Sequence, residues 1–160
     1  MPSLNDTHWQ LLNFLEGSWK GRGGGEPGIG DYDRTYHFIL NGKFLEVRNK
    51  STYPPSADYP KGEIHEDIGY ISFDKPRKCF VLRQFHVEGF VNQYALESTS
   101  EDGKEIVFVS EAIENISPGW RAKETYQIHG NDEFTEIFEL APPGKPFEIY
   151  TSVTLQRKAI

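Results

Sequence analysis

Gly17-Ser18-Trp19-Lys20-Gly21-Arg22-Gly23-Gly24-Gly25 sets one large aromatic among glycines at alternate positions. Successive side chains of a β-strand point to opposite faces, so Gly17, Trp19, Gly21, Gly23 and Gly25 share one face. Glycine weakens a strand interior unless the backbone must bend sharply or approach something closely. The stretch therefore reads as the first strand of a sheet that curls round a cavity, with Trp19 closing one end.

Turn-punctuated strand patterns fill the rest of the chain. Residues 32–40 end at Asn41-Gly42, a hairpin signal, and 43–53 follow, rich in β-branched and aromatic residues. Residues 54–62 hold three prolines and read as a mobile loop. Further strands are expected over 64–73, 78–87, 90–98, 105–112, 120–129, 134–140 and 147–157. With the Trp19 strand these make ten. Nearly all the links are short, which favours antiparallel neighbours in up-and-down order, and ten such strands can close and remove their edges. The fold class is all-β, a ten-stranded antiparallel barrel, with an open β-sandwich as the alternative. A barrel wider than about eight strands has room for a ligand. One short helix is expected over residues 5–16, capped by Asn5 or Asp6. His8, Leu11, Leu12 and Leu15 form its apolar stripe over one barrel end.

At 160 residues the chain reads as one domain. Its 17 basic and 24 acidic residues give a net charge of −7, which argues against a nucleic-acid partner. One cysteine, Cys79, cannot form an internal disulfide, so a reducing, cytoplasmic setting is expected. The first ten residues lack a basic region followed by an apolar run, and no stretch is apolar enough to span a bilayer. The oligomeric state is left open, a homodimer included.

Alternation also nominates lumen residues. Trp120, Ala122, Tyr126 and Ile128 alternate with Arg121, Lys123, Gln127 and His129, and the apolar set carries Glu124 inward. A buried carboxylate is costly unless paired, and Arg34, which shares a parity with Tyr32, Tyr36 and Phe38, is a candidate partner. The alternative places Glu124 and Arg34 at the rim, in water. In the last strand Phe147, Ile149, Thr151, Val153 and Leu155 form one side and Glu148, Tyr150, Ser152, Thr154 and Gln156 the other; the period alone does not choose between them. The expected ligand-binding set is Trp19, Arg34, Tyr36, His86, Trp120, Glu124, Tyr126 and Tyr150, holding a small apolar molecule. No Gly-x-Ser-x-Gly elbow, phosphate loop or zinc-ligand spacing is present, so no catalytic residues are nominated.

The glycine-rich strand resembles the opening of the nitrobindin-like β-barrels, relatives of the fatty-acid-binding proteins among the calycins. That family begins with a short helix and G-x-W-x-G-x-G-x-G before a Tyr-Pro pair; here Glu26-Pro27 follows. His65-Glu66-Asp67-Ile68-Gly69-Tyr70 is similar to the family's His-x-Glu-x-Gly-Tyr strand, and Phe85-His86-Val87-Glu88-Gly89 to its next hairpin. The resemblance implies a calycin-type barrel and the possibility of ferric haem at its mouth, with nitric oxide binding and peroxynitrite isomerisation. The family's last strand reads His-Leu-x-x-x-Leu-x-Arg. Leu155 and Arg157 fit, and Tyr150 stands at the position of the axial histidine. A tyrosinate ligates ferric haem, provided a nearby cation or donor lowers the tyrosine pKa from about 10. His86 and His37 are the substitutes. An interaction module presenting the loop 54–62 is a third reading.

Overall fold

The computed structural model describes residues 7–159. Ten strands run in sequence: β1 (Gly17–Gly25), β2 (Gly28–Ile39), β3 (Phe44–Tyr53), β4 (Glu63–Asp74), β5 (Cys79–His86), β6 (Val91–Thr99), β7 (Glu105–Glu114), β8 (Arg121–Gly130), β9 (Glu133–Ala141) and β10 (Glu148–Arg157). Each pairs antiparallel with its successor, and β1 pairs with β10 to close the barrel. The open-sandwich alternative is thereby removed.

The alternate glycines of β1 have a steric reason. A Cβ on Gly21, Gly23 or Gly25 would lie 2.4, 2.5 or 1.9 Å from the carbonyl oxygen of Thr154, Ser152 or Tyr150. The first and last strands close the ring only because nothing projects there. Between β2 and β3 the turn starts one residue before the Asn-Gly pair, with positive φ at Leu40, Asn41 and Gly42.

The expected single helix is replaced by two 3-10 turns, Thr7–Leu11 and Asn13–Leu15. Their bonds skip three residues: Leu12 N–H donates to Trp9 O and Leu15 N–H to Leu12 O. A repeat of three residues per turn puts Trp9, Leu12 and Leu15 on one face, and all three are buried. Trp9 is added to the expected stripe, of which Leu11 is partly buried against the core and His8 is half-buried and stacked on Phe73 at 4.1 Å; the proposed caps Asn5 and Asp6 lie outside the described residues.

These turns plug one end of the barrel. Trp9 packs against Phe38 and Phe80, and Trp19 meets Phe134 edge-on at 4.7 Å. The Trp19 indole N–H donates to Leu15 O at 2.8 Å, and the Arg157 guanidinium lies 4.3 Å over the Trp19 ring. That half of the interior is a packed aromatic core. The space for a ligand lies at the other end.

Candidate functional site

Midway along the barrel, polar side chains interrupt the inward apolar stripes. On β2, Arg34 stands between Tyr32 and Tyr36; on β8, Glu124 stands between Ala122 and Tyr126; on β9, Glu136 stands between Phe134 and Phe138. Asn49, Asp67, Gln84 and Asn92 do the same on β3 to β6. Register brings them to one level: Arg34 opposes Asn49, Asn49 opposes Asp67, Asp67 opposes His86, and Gln84 opposes Asn92. The result is a polar belt between the packed core and the open end.

Arg34 is 5 % exposed and donates to a Glu136 carboxylate oxygen. The two oppose across the lumen from strands remote in sequence. Asn49 donates to Asp67 Oδ1 at 2.8 Å, and Asn92 to the Tyr94 hydroxyl at 3.0 Å. Several buried polar atoms of the belt lack a hydrogen-bond partner: Arg34 Nε, Asn49 Oδ1, Gln84 Oε1, His86 Nε2, Asn92 Oδ1 and Glu124 Oε2. Such atoms are uncommon in folded interiors, where ordered water or a bound group meets them.

Above the belt a cavity of about 470 Å³ opens to solvent. Its floor is the belt, and its walls include Phe90, Ile113, Ile116, Phe138 and Leu140. Tyr59 and Tyr150 stand at the mouth, Tyr59 supplied by the proline-rich connection between β3 and β4. Deeper in, the Tyr32 and Tyr53 hydroxyls share a 2.5 Å hydrogen bond. At the rim the His65 ring is bridged by two carboxylates, Glu63 to Nε2 at 2.8 Å and Glu88 to Nδ1.

The electrostatics of the floor are governed by burial and by an excess of carboxylates. Burial pushes the Glu124 carboxyl well above the ordinary glutamate value; the Glu136 carboxylate adds to this and Arg34 opposes it. Asp67 is raised too, first by burial, with His86 and Arg34 pulling the other way. Within the interval between Glu124's ordinary and raised values, the folded chain binds a proton that the unfolded chain releases. Stability therefore falls as pH rises through that interval. Glu124→Gln removes this slope. We expect the variant to gain about 1–3 kcal/mol on wild type at pH 8, the cost of a buried charged group left short of partners. The gain should shrink toward pH 4 in urea unfolding at the two pH values. A difference independent of pH would contradict this.

Of the residues nominated from sequence, Arg34, His86, Glu124 and Tyr150 line the cavity. Arg34 and Glu124 sit in the floor, not at the rim, and the partner of Arg34 is Glu136 rather than Glu124. Trp19, Tyr36 and Tyr126 belong to the packed half, where Tyr126 meets Phe108 and Phe134. Trp120 precedes β8, half-buried, and is not part of the cavity wall. His37 points outward and is exposed. In β10, Val153 and Leu155 face the core, and the register slips between Ile149 and Thr151. That bulge turns Tyr150 to the cavity mouth, edge-on to Phe138 at 5.8 Å and 37 % exposed. Sequence reasoning misses Glu136, Asn49, Asp67, Gln84 and Asn92. Glu136 is a lone polar residue within an otherwise apolar inward stripe, whereas Asp67 shares its face with Glu63 and His65, Gln84 with His86, and Asn49 with Ser51.

Tyr150 stands at the cavity mouth with no cation among the main groups that shift its hydroxyl. Its pKa is raised, first by burial and then by Tyr53, Glu63, Glu26 and Glu88. These groups oppose loss of the phenolic proton, where a haem tyrosinate is helped by a cation or donor. The nitrogen donor that borders the cavity without a partner is His86 Nε2.

Comparison with known proteins places the whole barrel in one group. A family model described as "THAP4-like, heme-binding beta-barrel domain" matches residues 8–157. Among solved structures, Rv2717c from M. tuberculosis superposes with a TM-score of 0.66 at 20 % identity, covering 94 % of this chain and 97 % of that one. A de novo designed fluorescence-activating β-barrel aligns with a TM-score of 0.40 at 16 % identity over 91 % of this chain and 94 % of its own. No curated protein matches the sequence. No helix among the described residues is long and apolar enough to cross a membrane.

Proposed function

The chain belongs to the family of THAP4-like, heme-binding β-barrel domains, and from that premise we propose that it is a cytoplasmic binding protein for a small, mostly apolar molecule held at the open end of its barrel. One observation carries this reading: above the polar belt the packed core gives way to a cavity of about 470 Å³ with aromatic and aliphatic walls. That size and make-up are those of small-molecule pockets, with apolar walls and a few placed polar groups. Saturable binding of Nile red, a neutral apolar dye, tests the reading by fluorescence. Ile113→Trp, which fills the wall, should abolish the signal while the fold persists by circular dichroism. Undiminished binding in Ile113→Trp would contradict the site.

A second reading is favoured by the unpartnered His86 Nε2: coordination of haem at the same cavity, with His86 in place of the family's last-strand histidine. When bound there, haem would supply the iron chemistry behind nitric oxide binding or peroxynitrite isomerisation. Tyr150, held neutral by its surroundings, takes no part. A hemin titration read at the Soret band should then be unchanged in Tyr150→Phe and lose its shift in His86→Ala. Loss of the shift in Tyr150→Phe would contradict the assignment, and no shift in wild type would end the haem reading.

A further inference from the structure

We propose that the pocket floor is built for a cationic, hydrogen-bond-donating head, a primary ammonium or amidinium carried on a small apolar body. This rests on the ligand pocket proposed above and names the chemistry it selects. Asp67, Glu124 and Glu136 enter the floor from three strands, against the single guanidinium of Arg34. Glu136 already takes that guanidinium, which leaves Glu124, 4 % exposed, with an oxygen that meets no donor. The His86 ring stands opposite Asp67 in register and is the other titratable group at this level.

Asn49 and Asn92 each place their amide nitrogen on a neighbour, Asp67 and the Tyr94 hydroxyl, so that their carbonyl oxygens remain. With Gln84 Oε1 and Glu124 Oε2, four acceptors on four different strands lack donors. An ammonium group has three donors and no acceptor, so it complements this set. The opposing groups are Arg34 Nε, a donor without a partner on the guanidinium that Glu136 holds, and the Tyr36 hydroxyl beside it, which can donate or accept. A ligand carboxylate could meet that N–H donor only beside the carboxyl groups of Asp67, Glu124 and Glu136, the last already on the guanidinium. The fatty-acid mode, in which an arginine grips a carboxylate, is therefore blocked by Glu136.

The rim repeats the pattern. Glu63, Glu66 and Glu88 stand at the mouth with Lys50 and the bridged His65, so approaching cations meet a mainly negative collar. Such a collar steers a cationic ligand inward. Burial, before any neighbouring charge, raises the Glu124 and Asp67 carboxyls, and a cation placed beside them would favour their charged forms.

Calorimetric titration of the full chain with three probes of one tail length separates the possibilities: decylamine, 1-decanol and decanoate, each below its micelle concentration at pH 7. Decylamine should bind at least tenfold more tightly than 1-decanol, and decanoate more weakly than either. Glu124→Gln should reduce decylamine affinity about tenfold and leave 1-decanol affinity unchanged. Decanoate binding as tightly as decylamine would overturn the head-group assignment while leaving the pocket in place. Equal loss of all three probes in Glu124→Gln would overturn it too, because a structural role alone would do that. Failure of every probe to bind wild type would overturn the pocket itself.

Discussion

Arg34→Met is expected to cost about 3–5 kcal/mol of folding stability. The guanidinium is buried and its charge is met by Glu136 across the lumen. Removing it leaves Glu136 and Glu124 facing each other in a low-dielectric interior without a compensating cation. A buried pair adds little beyond a well-packed apolar replacement, but half a pair is strongly unfavourable. The double variant Arg34→Met/Glu136→Leu should therefore recover most of the loss, to within about 1 kcal/mol of wild type. Urea midpoints at constant m measure both. A single-variant cost below about 1 kcal/mol would mean that the belt's charges are solvated rather than buried.

Arg157→Ala should cost about 3 kcal/mol, for a different reason. Its guanidinium donates to the backbone carbonyls of Glu16, Phe14 and Asn131 at 2.6, 2.6 and 2.7 Å, and to Asp132 Oδ1 at 3.1 Å. It also covers the Trp19 ring. One side chain thus ties the last strand to the N-terminal turns and to the β8–β9 turn, and seals the plugged end. Alanine leaves three carbonyls without donors and uncovers the indole. Arg157→Lys should recover little, because an ammonium cannot spread its donors across that planar fork. Trp19 fluorescence and thermal melts read the change. A melting point within about 1 °C of wild type in Arg157→Ala would show that the staple contributes nothing.

The barrel was legible because its signals are local. The glycines of β1, the Asn-Gly turn and the alternation in β8 each declare themselves within a short stretch of chain, and all of them carry through to the closed ring. The N-terminal segment misled for a local reason as well. A spacing of three and a spacing of four share Leu12 and Leu15, and only Trp9, buried at period three, separates a 3-10 turn from an α-helix.

The site was legible in part, because its key property is non-local. Alternation shows that Arg34 and Glu124 face inward, but cross-strand register decides which residues share a level. Glu136 lies 102 positions from Arg34, and nothing in either neighbourhood announces the pair. Aromatic identity does not tell one end of a barrel from the other, so Trp19, Tyr36 and Tyr126 group in sequence with residues of the opposite half. Tyr150 reaches the mouth through a bulge that breaks the period on which parity arguments depend. Arg34, Glu124 and Glu136 could have been read together by asking which strands carry one polar residue on an otherwise apolar side.

The most direct test of the account is a ¹H–¹⁵N chemical-shift map of the chain titrated with 1-decanol, a neutral probe that asks only where a ligand goes. The account predicts saturable shifts confined to the open end, at Phe90, Ile113, Phe138, Tyr150 and the belt residues Gln84, Asn92 and Glu124, with Trp9 and Trp19 unmoved. Shifts centred on the plugged end, or scattered without saturation, would contradict it.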